Sequence, residues 1–383
     1  MSNKTKCFDV IIVGAGPAGT ACALRLKDSG LSVAMLDKQS FPRDKVCGDA
    51  IPGRAIKILH QIDPVFASAF KDFDKKFTSN RTRFMYNRKS LNFQWVGEAY
   101  TCARINFDNF LFTLVKNKTQ VEVYECVVIK NLKISENKVT FFEETNDIFF
   151  EATMIIGADG AQSLLAKLLT ARTIDRDHHV GSVRSYYKDV TGTVSNTTEV
   201  FFEKKSLPSY LWVFPLPGNV CNVGFGMLSS TIARKKINLR AMFFQFIKEH
   251  PELNERFKNA EMVGELEGFG LPLGSRKVIM SGDNFLLVGD AASLIDPFSG
   301  EGIGNAMLSG KLAAEQVIDS FKIKNFSAEK LSNYDTQLMK VIGKEMKLRY
   351  KAQQLLAKYP FLLDIIFKLS KNKMFIAFLQ KGM

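Results

Sequence analysis

The sequence has little histidine and no closely spaced cysteine, which excludes several classes of site. Its six cysteines never lie closer than fifteen positions, and its four histidines form no HExxH motif and no mixed Cys/His cluster. CxxC redox pairs and zinc knuckles both need closely spaced thiols. We therefore predict no protein-bound metal, and reduced thiols as in a cytoplasmic protein.

Motifs for phosphoryl transfer and for hydrolysis are also missing. Gly304 and the pair Gly310-Lys311 are five residues apart, where a Walker A loop needs four, and Leu312 stands where Ser or Thr is required. No GxSxG nucleophile elbow occurs. Kinases, nucleotide hydrolases and serine esterases are therefore excluded as explanations of this chain.

The one long uncharged stretch does not suit a membrane span. Residues 206–233 carry no formal charge across 28 positions, which is long enough by count alone. Pro208, Pro215, Pro217 and Gly218 interrupt it, and such residues are typical of short strands and turns. We predict strands of a folded domain here.

Composition indicates a globular protein with an uneven excess of positive charge. The 383 residues are 46% hydrophobic and 24% charged, with a formal charge of +13. Residues 336–383 hold ten basic and two acidic residues, interleaved with apolar runs such as 359–367. This pattern predicts peripheral contact with an anionic membrane surface, or basic helices whose apolar faces pack on the protein. No nucleic-acid motif accompanies the charge, so we predict no nucleic-acid partner.

The opening of the chain predicts a βαβ unit that binds a dinucleotide. A strand over Phe8–Val13 is followed by a glycine turn, a helix over Pro17–Ser29 and a strand over Ser32–Leu36. Of the turn glycines 14, 16 and 19, the first permits the turn, the second admits a pyrophosphate and the third allows close packing of helix on strand. The helix N-terminus offers free N–H groups to the phosphates. Asp37 follows the second strand and is predicted to bind a ribose.

Two later segments place an acid just past an apolar strand. Met154–Ile156 leads to Asp159, and Phe285–Val288 leads to Asp290 and a glycine-containing loop over 296–303. Ligands of open α/β sheets lie at such strand ends. We predict that one cofactor domain is assembled from these distant segments.

The region between them predicts an antiparallel sheet. Short apolar strands are expected over 183–188, 199–203, 210–216, 220–227 and 263–271, with a helix over Leu239–Glu249 and a helical region from Tyr334 onward. The predicted fold is α/β (α+β overall), with a Rossmann-like domain, an antiparallel sheet domain and C-terminal helices. The predicted domains are 1–75, 100–170 and 275–330 for the cofactor, 76–99 and 171–274 for the substrate, and 331–383 for the helical region.

Two segments carry a resemblance to a known family. Phe41–Asp49 reads Phe-Pro-Arg-Asp-Lys-Val-Cys-Gly-Asp, and Tyr210–Pro215 reads Tyr-Leu-Trp-Val-Phe-Pro before Gly224-Phe225-Gly226. With the three sites above, they resemble the flavoprotein monooxygenase superfamily of the p-hydroxybenzoate hydroxylase fold, over roughly residues 8–330, and within it the geranylgeranyl reductase family. The resemblance implies non-covalently bound FAD and a tunnel for a prenyl chain.

The resemblance also implies roles for single residues. Cys47 would lie beside the flavin ring as the catalytic candidate, and Arg104 near the FAD phosphates and ribityl chain. Gly302 and Ile303 would begin a helix whose positive end faces flavin N1 and O2. The substrate set is Tyr210, Trp212, Phe214 and Gly224. The cofactor set is Gly14, Gly16, Pro17, Ala18, Gly19, Asp37 (where Glu is more usual), Lys38, Cys47, Gly48, Arg104, Val127, Asp159, Gly160, Gly289, Asp290, Gly300, Gly302 and Ile303.

The implied activity is that of an FAD-dependent oxidoreductase reducing C=C bonds of a prenyl-type lipid. Such a reduction needs a hydride, a proton from a nearby acid and stabilisation of positive charge, to which aromatic faces contribute. Cys47 and Tyr210 are candidate proton donors. The alternative is an FAD-dependent monooxygenase, a hydroxylase or a halogenase, although Trp212 lies in YxWxFP and not in the WxWxIP of halogenases. Because one dinucleotide fingerprint is present, the electron donor is NADPH docking transiently or a ferredoxin-like carrier.

Overall fold

The computed structural model describes residues 4–87, 89–95, 97–135, 138–143 and 148–369. The helices are Pro17–Leu26 (α1), Gly53–Ile62 (α2), Pro64–Lys71 (α3), Arg104–Lys118 (α4), Leu164–Thr170 (α5), Ser229–Lys235 (α6), Leu239–Glu249 (α7), Pro251–Arg256 (α8), Ile303–Ile323 (α9), Ala328–Lys358 (α10) and Phe361–Leu369 (α11). The strands are Lys4–Val13 (β1), Val33–Leu36 (β2), Ala50–Ile51 (β3), Phe77–Thr78 (β4), Arg81–Tyr86 (β5), Lys89–Gln94 (β6), Tyr100–Thr101 (β7), Glu122–Tyr124 (β8), Lys130–Ser135 (β9), Lys138–Glu143 (β10), Ile148–Gly157 (β11), His179–Lys188 (β12), Thr197–Phe202 (β13), Ser209–Leu216 (β14), Val220–Leu228 (β15), Glu261–Pro272 (β16), Ser281–Gly282 (β17) and Phe285–Leu287 (β18).

The first sheet has a parallel centre in the order β18-β11-β1-β2-β8, with β17, β10 and β9 added antiparallel. Val10, Ile11 and Ile12 are completely buried, as expected for a strand covered on both faces. Side chains of α1, α4 and α9 join the same hydrophobic core. Helix α1 ends at Leu26, earlier than predicted, and the Ser29 N–H and hydroxyl both donate to the Leu26 carbonyl oxygen, at 3.0 and 2.7 Å.

The parallel register brings the three distant segments to one edge. Val13 pairs with Gly157, and Gly157 pairs with Leu287, so the carboxyl ends of β1, β11 and β18 are neighbours. The predicted assembly of the Rossmann-like domain from distant parts of the chain is confirmed.

The second sheet has the order β16-β12-β15-β14-β13-β5-β6, and its pairs are antiparallel except for β13 with β5. Side chains alternate across such a sheet. Leu211 and Val213 of β14 face a core that includes Phe243 and Phe246 of α7. Tyr210 is one of the alternate residues of β14, and its hydroxyl donates to the Ser299 carbonyl oxygen in the loop before α9. The predicted antiparallel sheet is therefore confirmed.

The uncharged stretch 206–233 forms β14, β15 and the start of α6, as the prolines predicted. Within the described ranges, no helix has the length and apolarity to cross a membrane.

Helices α10 and α11 complete the described part of the chain. Along α10, Leu331, Tyr334, Leu338, Ile342 and Met346 are buried at spacings of three or four residues, which is the period of a helix face packed on a core. The predicted C-terminal helical region is confirmed as far as residue 369, and 370–383 lie outside the described residues. The domain boundaries stay a prediction. Strands β5 and β6 join the second sheet, while β4 pairs with β7, and β7 with β3, in a short third sheet.

Candidate functional site

A cavity of about 1290 Å³ lies between the two large sheets and reaches α10 and α11. Pockets for a single drug-sized ligand measure roughly 300–1,000 Å³, so this one has room for a dinucleotide and a second ligand. The predicted residues that line it are Gly14, Gly16, Pro17, Ala18, Asp37, Lys38, Cys47, Gly48, Arg104, Val127, Asp159, Gly160, Tyr210, Trp212, Phe214, Asp290, Gly300, Gly302 and Ile303. Their roles as ligand contacts stay predictions.

The turn between β1 and α1 is shaped for a close backbone approach. Gly14 has φ +104°, and a Cβ there would lie 2.2 Å from the Ala158 carbonyl oxygen. A Cβ at Gly16 would meet only the end of Arg43, at 3.8 Å, so this position is open to the cavity. No side chain caps the N-terminus of α1, whose free N–H groups fit a pyrophosphate.

Three predicted glycines do not line the cavity and act behind its wall. A Cβ at Gly19 would lie 1.9 Å from the Gly14 carbonyl oxygen, one at Gly224 would lie 2.1 Å from the Trp212 ring, and one at Gly289 would lie 3.0 Å from the Ala18 Cβ. Each glycine therefore allows a neighbouring wall residue to take its position.

Asp37 fits the predicted ribose site at the end of β2. Its Oδ2 accepts a hydrogen bond from the Ala15 N–H at 2.8 Å, and its Oδ1 accepts one from the Gln39 N–H at 2.9 Å. The carboxylate is thus fixed between the glycine turn and the strand end. Its other lone pairs remain available to ligand hydroxyls.

The carboxyl ends of β11 and β18 are each followed by an acid, one held by hydrogen bonds and the other by an ion pair. Asp159 accepts from the Ser163 hydroxyl and from the Leu165 N–H at the start of α5, and burial raises its pKa. Asp290 forms an ion pair with Lys45 at 3.1 Å. Gly302 is the N-cap of α9, which begins at Ile303 as predicted, and the neighbouring Glu301 side chain accepts a hydrogen bond from the Gly304 N–H at 2.7 Å.

Arg104 is fixed by a buried ion pair. Its Nε and Nη2 donate to the two carboxylate oxygens of Asp108 at 2.6 and 2.7 Å, and Arg43 donates to the same carboxylate at 2.8 Å. Burial alone would raise the pKa of Asp108, but the two guanidinium groups outweigh it and leave the pKa below its usual value. The site therefore gains two positioned cations at the cavity wall, and Arg104 also interacts with Cys47.

Asp49 is a residue of the site that the motif contained but the sequence did not assign. It is completely buried, has φ +62°, and accepts hydrogen bonds from the Tyr186 hydroxyl (2.9 Å), the Asn222 amide (2.7 Å) and the Arg104 N–H (3.0 Å). Burial raises its pKa to about 6. Because Asn222 also donates to the Cys47 carbonyl oxygen at 2.7 Å, this group fixes the Cys47 segment to the second sheet.

The aromatic residues of β14 form a row along the cavity. Ring centroids are 6.0 Å apart between Tyr210 and Trp212, and 6.4 Å apart between Trp212 and Phe214. Trp212 pairs with Gly224 across the ladder, and the missing side chain there makes room for the indole. A Cβ at Gly48 would lie 3.4 Å from Phe214, which places the Cys47 segment at one end of this row.

Beyond Tyr210 the cavity becomes largely apolar. Its walls there include Phe84 of β5, Val200 and Phe202 of β13, and Leu356 and Leu363 of the C-terminal helices. A charged group borders this half: the Arg54 guanidinium pairs with Glu345 at 2.6 Å, and Arg349 pairs with Asp296 at 2.7 Å. The sequence did not single out these α10 residues, since nothing local indicates that α10 reaches the cavity.

Comparison with known proteins agrees with this geometry. A family model described as FAD binding domain matches residues 7–266. The chain is 26% identical to a digeranylgeranylglycerophospholipid reductase of Methanocella arvoryzae, over 92% of this chain and 88% of that one. It is 28% identical to a menaquinone reductase of Mycobacterium tuberculosis, over 82% and 76%. A solved geranylgeranyl bacteriochlorophyll reductase-like protein of Thermoplasma acidophilum superposes with a TM-score of 0.85 at 22% identity, covering 96% and 92%.

The chain therefore belongs to the FAD-binding domain family, and the residues of the cavity fit that cofactor. More particularly, it is an FAD-dependent oxidoreductase, and the predicted resemblance to the geranylgeranyl reductase family is confirmed. A flavin-dependent brominase shares the fold, with a TM-score of 0.74 at 19% identity over 95% of this chain and 93% of that one.

Proposed function

We propose that this protein reduces C=C bonds of a prenyl-type lipid. The observation that supports this proposal most directly is that a single cavity extends from the glycine turn of β1, along the aromatic row, to an apolar half. A lipid chain that enters the apolar half is thereby directed toward the place where FAD is held. Relatives named as reductases of geranylgeranylated lipids and of menaquinone support the same class of substrate.

The roles of the chain's own groups follow from their positions. Gly14, Gly16 and the N-terminus of α1 hold the pyrophosphate, and Asp37 binds the ribose. FAD, once reduced, supplies a hydride. Tyr210, Trp212 and Phe214 bind the prenyl chain, whose burial stabilises the complex by about 25 cal/mol per Å² of apolar area.

Cys47 is proposed as a contact of the reacting atoms. It is half-buried, lines the cavity, and has its carbonyl oxygen fixed by Asn222. The Cys47→Ser substitution is expected to retain FAD and to slow lipid reduction, which separates a role at the reacting atoms from a role in folding.

The function is tested anaerobically with the FAD-loaded protein. The flavin is reduced, a geranylgeranyl lipid is added, and flavin reoxidation is followed together with the product mass. Reoxidation with a gain of two hydrogens in the lipid supports the reductase. A requirement for air, with an oxygen atom in the product, would instead identify a monooxygenase, the second candidate that the brominase-like fold favours.

We propose further that electrons reach the flavin from NADPH or from a ferredoxin-like carrier. Lys45, Arg43 and Arg104 make this end of the cavity rich in cations, which suits either anionic donor. Stopped-flow reduction of the FAD-loaded protein with each donor separates the two.

For localisation, we propose a cytoplasmic protein that contacts membranes through one face of α10. Val341, Leu348 and Leu355 are 55%, 62% and 51% exposed at intervals of seven residues. Exposed lysines at 344, 351 and 358 each follow one of these residues by three positions, and lysines beside apolar side chains fit an anionic bilayer surface. Leu348 also lines the cavity, so this face gives a lipid a route into the site.

Sedimentation with phosphatidylcholine vesicles, with and without phosphatidylglycerol, tests the membrane contact. Binding should need the anionic lipid, weaken with salt and be lost in the Lys344→Glu/Lys351→Glu variant. Equal sedimentation of the variant and the wild type would contradict it.

A further inference from the structure

One acid in the cavity wall differs from the others in its partners. Among the described residues that line the apolar half of the cavity, Glu301 is the carboxylate with which no cation forms an ion pair. The remaining acids of the wall are held by ion pairs or by local hydrogen bonds: Asp290 by Lys45, Asp296 by Arg349, Glu345 by Arg54 and Arg349, Glu98 by Lys71, Asp37 by Ala15 and Gln39, and Asp159 by Ser163 and Leu165.

The position of Glu301 is fixed by the loop before α9. Asp296 accepts hydrogen bonds from the N–H groups of Phe298 and Ser299 at 2.9 and 2.8 Å, which closes the loop. Glu301 itself accepts from the Gly304 N–H at 2.7 Å through Oε1. Within the described ranges its Oε2 has no hydrogen-bond partner, and the side chain lines the cavity.

This loop lies against the beginning of the aromatic row. The Tyr210 hydroxyl donates to the Ser299 carbonyl oxygen, and a Cβ at Gly300 would lie 3.0 Å from that hydroxyl. Glu301 follows directly in the chain. A prenyl double bond lying along Tyr210 and Trp212 therefore has aromatic faces on one side and this carboxyl group close by.

The charges around Glu301 favour a bound proton. Burial raises its pKa to about 7, and Asp296 adds to the rise. The Gly304 N–H, Arg54 and Arg349 act in the opposite direction, but both arginines are already engaged with Glu345 and Asp296. A carboxyl group with this balance exchanges a proton near neutral pH, which is the property of an effective general acid.

We propose that Glu301 is the catalytic acid that protonates the double bond; this inference rests on the proposed function. As the hydride supplied by reduced FAD forms a C–H bond at one alkene carbon, the O–H bond of Glu301 breaks and its proton forms a C–H bond at the neighbouring carbon. The alkene gains two electrons, the flavin is oxidised, and Glu301 is left as a carboxylate. Solvent returns the proton before the next turnover.

The aromatic row completes this assignment. Protonation of an isolated alkene creates positive charge on the adjacent carbon, and the faces of Tyr210 and Trp212 attract a cation. The acid and the stabilising rings are thus contributed by different domains and meet in the cavity. Cys47 remains the alternative donor that the experiment must separate.

The test compares single turnovers of the reduced, FAD-loaded protein with a geranylgeranyl lipid in the wild type, Glu301→Gln and Glu329→Gln. The Gln variant keeps an acceptor for the Gly304 N–H. Glu329 is the control because it is a glutamate at the N-terminus of another helix, α10, but is exposed and outside the cavity. We expect Glu301→Gln to retain FAD and lipid and to reoxidise about 100-fold more slowly, while the control matches the wild type.

The pH dependence gives a second readout. Because the protonated acid is the active form, wild-type reoxidation should slow as the pH rises through about 7, and Glu301→Gln should lose this dependence. A carboxylic acid C=O band in the infrared spectrum should disappear from the wild type over the same range and be missing from the variant, without any turnover.

Opposite results would overturn the assignment. A wild-type rate and pH profile in Glu301→Gln would exclude Glu301 as the donor, and a corresponding loss in Cys47→Ser would assign the proton to the thiol. If the wild type itself fails to transfer hydrogen to any prenyl lipid, the proposed function fails, and this result is distinct from the first.

Discussion

The two large sheets serve the same cavity in different ways. The parallel sheet presents its strand ends, so the glycine turn, Asp159 and Asp290 line the cavity from loops. The antiparallel sheet presents a face, so Tyr210, Trp212 and Phe214 line the cavity with their side chains. Substitutions should therefore act through backbone conformation in the first region and through side-chain volume in the second.

The largest effect on stability and FAD binding is expected in the glycine turn, where the backbone at a strand end lines the cavity. Gly14→Ala places a Cβ 2.2 Å from the Ala158 carbonyl oxygen at φ +104°, and strain of this kind costs about 1–3 kcal/mol before the steric overlap is counted. We expect the variant to lose FAD during purification and the FAD-free protein to unfold at a lower temperature. Absorbance of the bound flavin and thermal unfolding measure both.

Gly16→Ala is the matched control in the same turn. Its Cβ would meet only the end of Arg43 at 3.8 Å, so the FAD-free protein should keep its unfolding temperature while FAD binding weakens. Equal losses of stability in Gly14→Ala and Gly16→Ala would contradict this prediction, because only the first substitution is expected to strain the backbone.

The next largest effect is expected in the antiparallel sheet, where side chains on one face line the cavity. Gly224→Ala would push the Trp212 indole toward the cavity, because the added Cβ overlaps its ring at 2.1 Å. Overpacking of this kind costs about 1–3 kcal/mol. We expect FAD to be retained and the KM for the lipid to rise by about tenfold. Gly224→Ala/Trp212→Phe should recover part of the loss, and no recovery would place the effect elsewhere.

Asp49, which links the two regions, gives a smaller and pH-dependent effect. Its folded pKa of about 6 exceeds the ordinary value of 3.8, so the folded state binds more protons between these pH values. The free energy of unfolding should therefore fall as the pH rises from about 4 to about 6, by a contribution on the order of 3 kcal/mol, and then level off. Denaturant unfolding across this pH range measures the difference in the free energy of unfolding between the wild type and Asp49→Asn. A difference that does not change with pH would contradict the titration of Asp49.

The smallest effect is expected at Lys38. This lysine is exposed at the rim of the cavity, and exposed charges contribute about 0–1 kcal/mol. Lys38→Ala should weaken FAD binding by less than about fivefold. Titration of FAD into the apoprotein checks this, and a larger loss would identify a direct ligand contact.

The sequence predicted what has a local signal. The glycine turn, the acids that follow apolar strands and the short strands of the second sheet are each set by neighbours in the chain, and both sheets were predicted from them. Asp49 could not be assigned because its partners Tyr186 and Asn222 come from β12 and β15. For the same reason, Gly224 and Gly289 were placed in the site although they act behind its wall.

The charged residues beside the apolar half could not be predicted either, because their partners are also distant in the chain. Arg54 lies on α2 and Glu345 on α10, 291 positions apart, and no pattern in the chain joins them. Long-range pairing of this kind follows from how the helices pack, which a single sequence does not specify.

The short helix α11 has a consequence for the range of molecules that the protein accepts. Its nine residues contribute two buried side chains, Leu363 and Phe367, which pack against Tyr86 and Leu91, and Leu363 lines the cavity. If the proposed function holds, a prenyl chain that fills the apolar half reaches Leu363, in a helix whose local unfolding would expose little buried surface. We therefore expect chains of unequal length to be accommodated at this end of the cavity, while the geometry around the glycine turn stays the same.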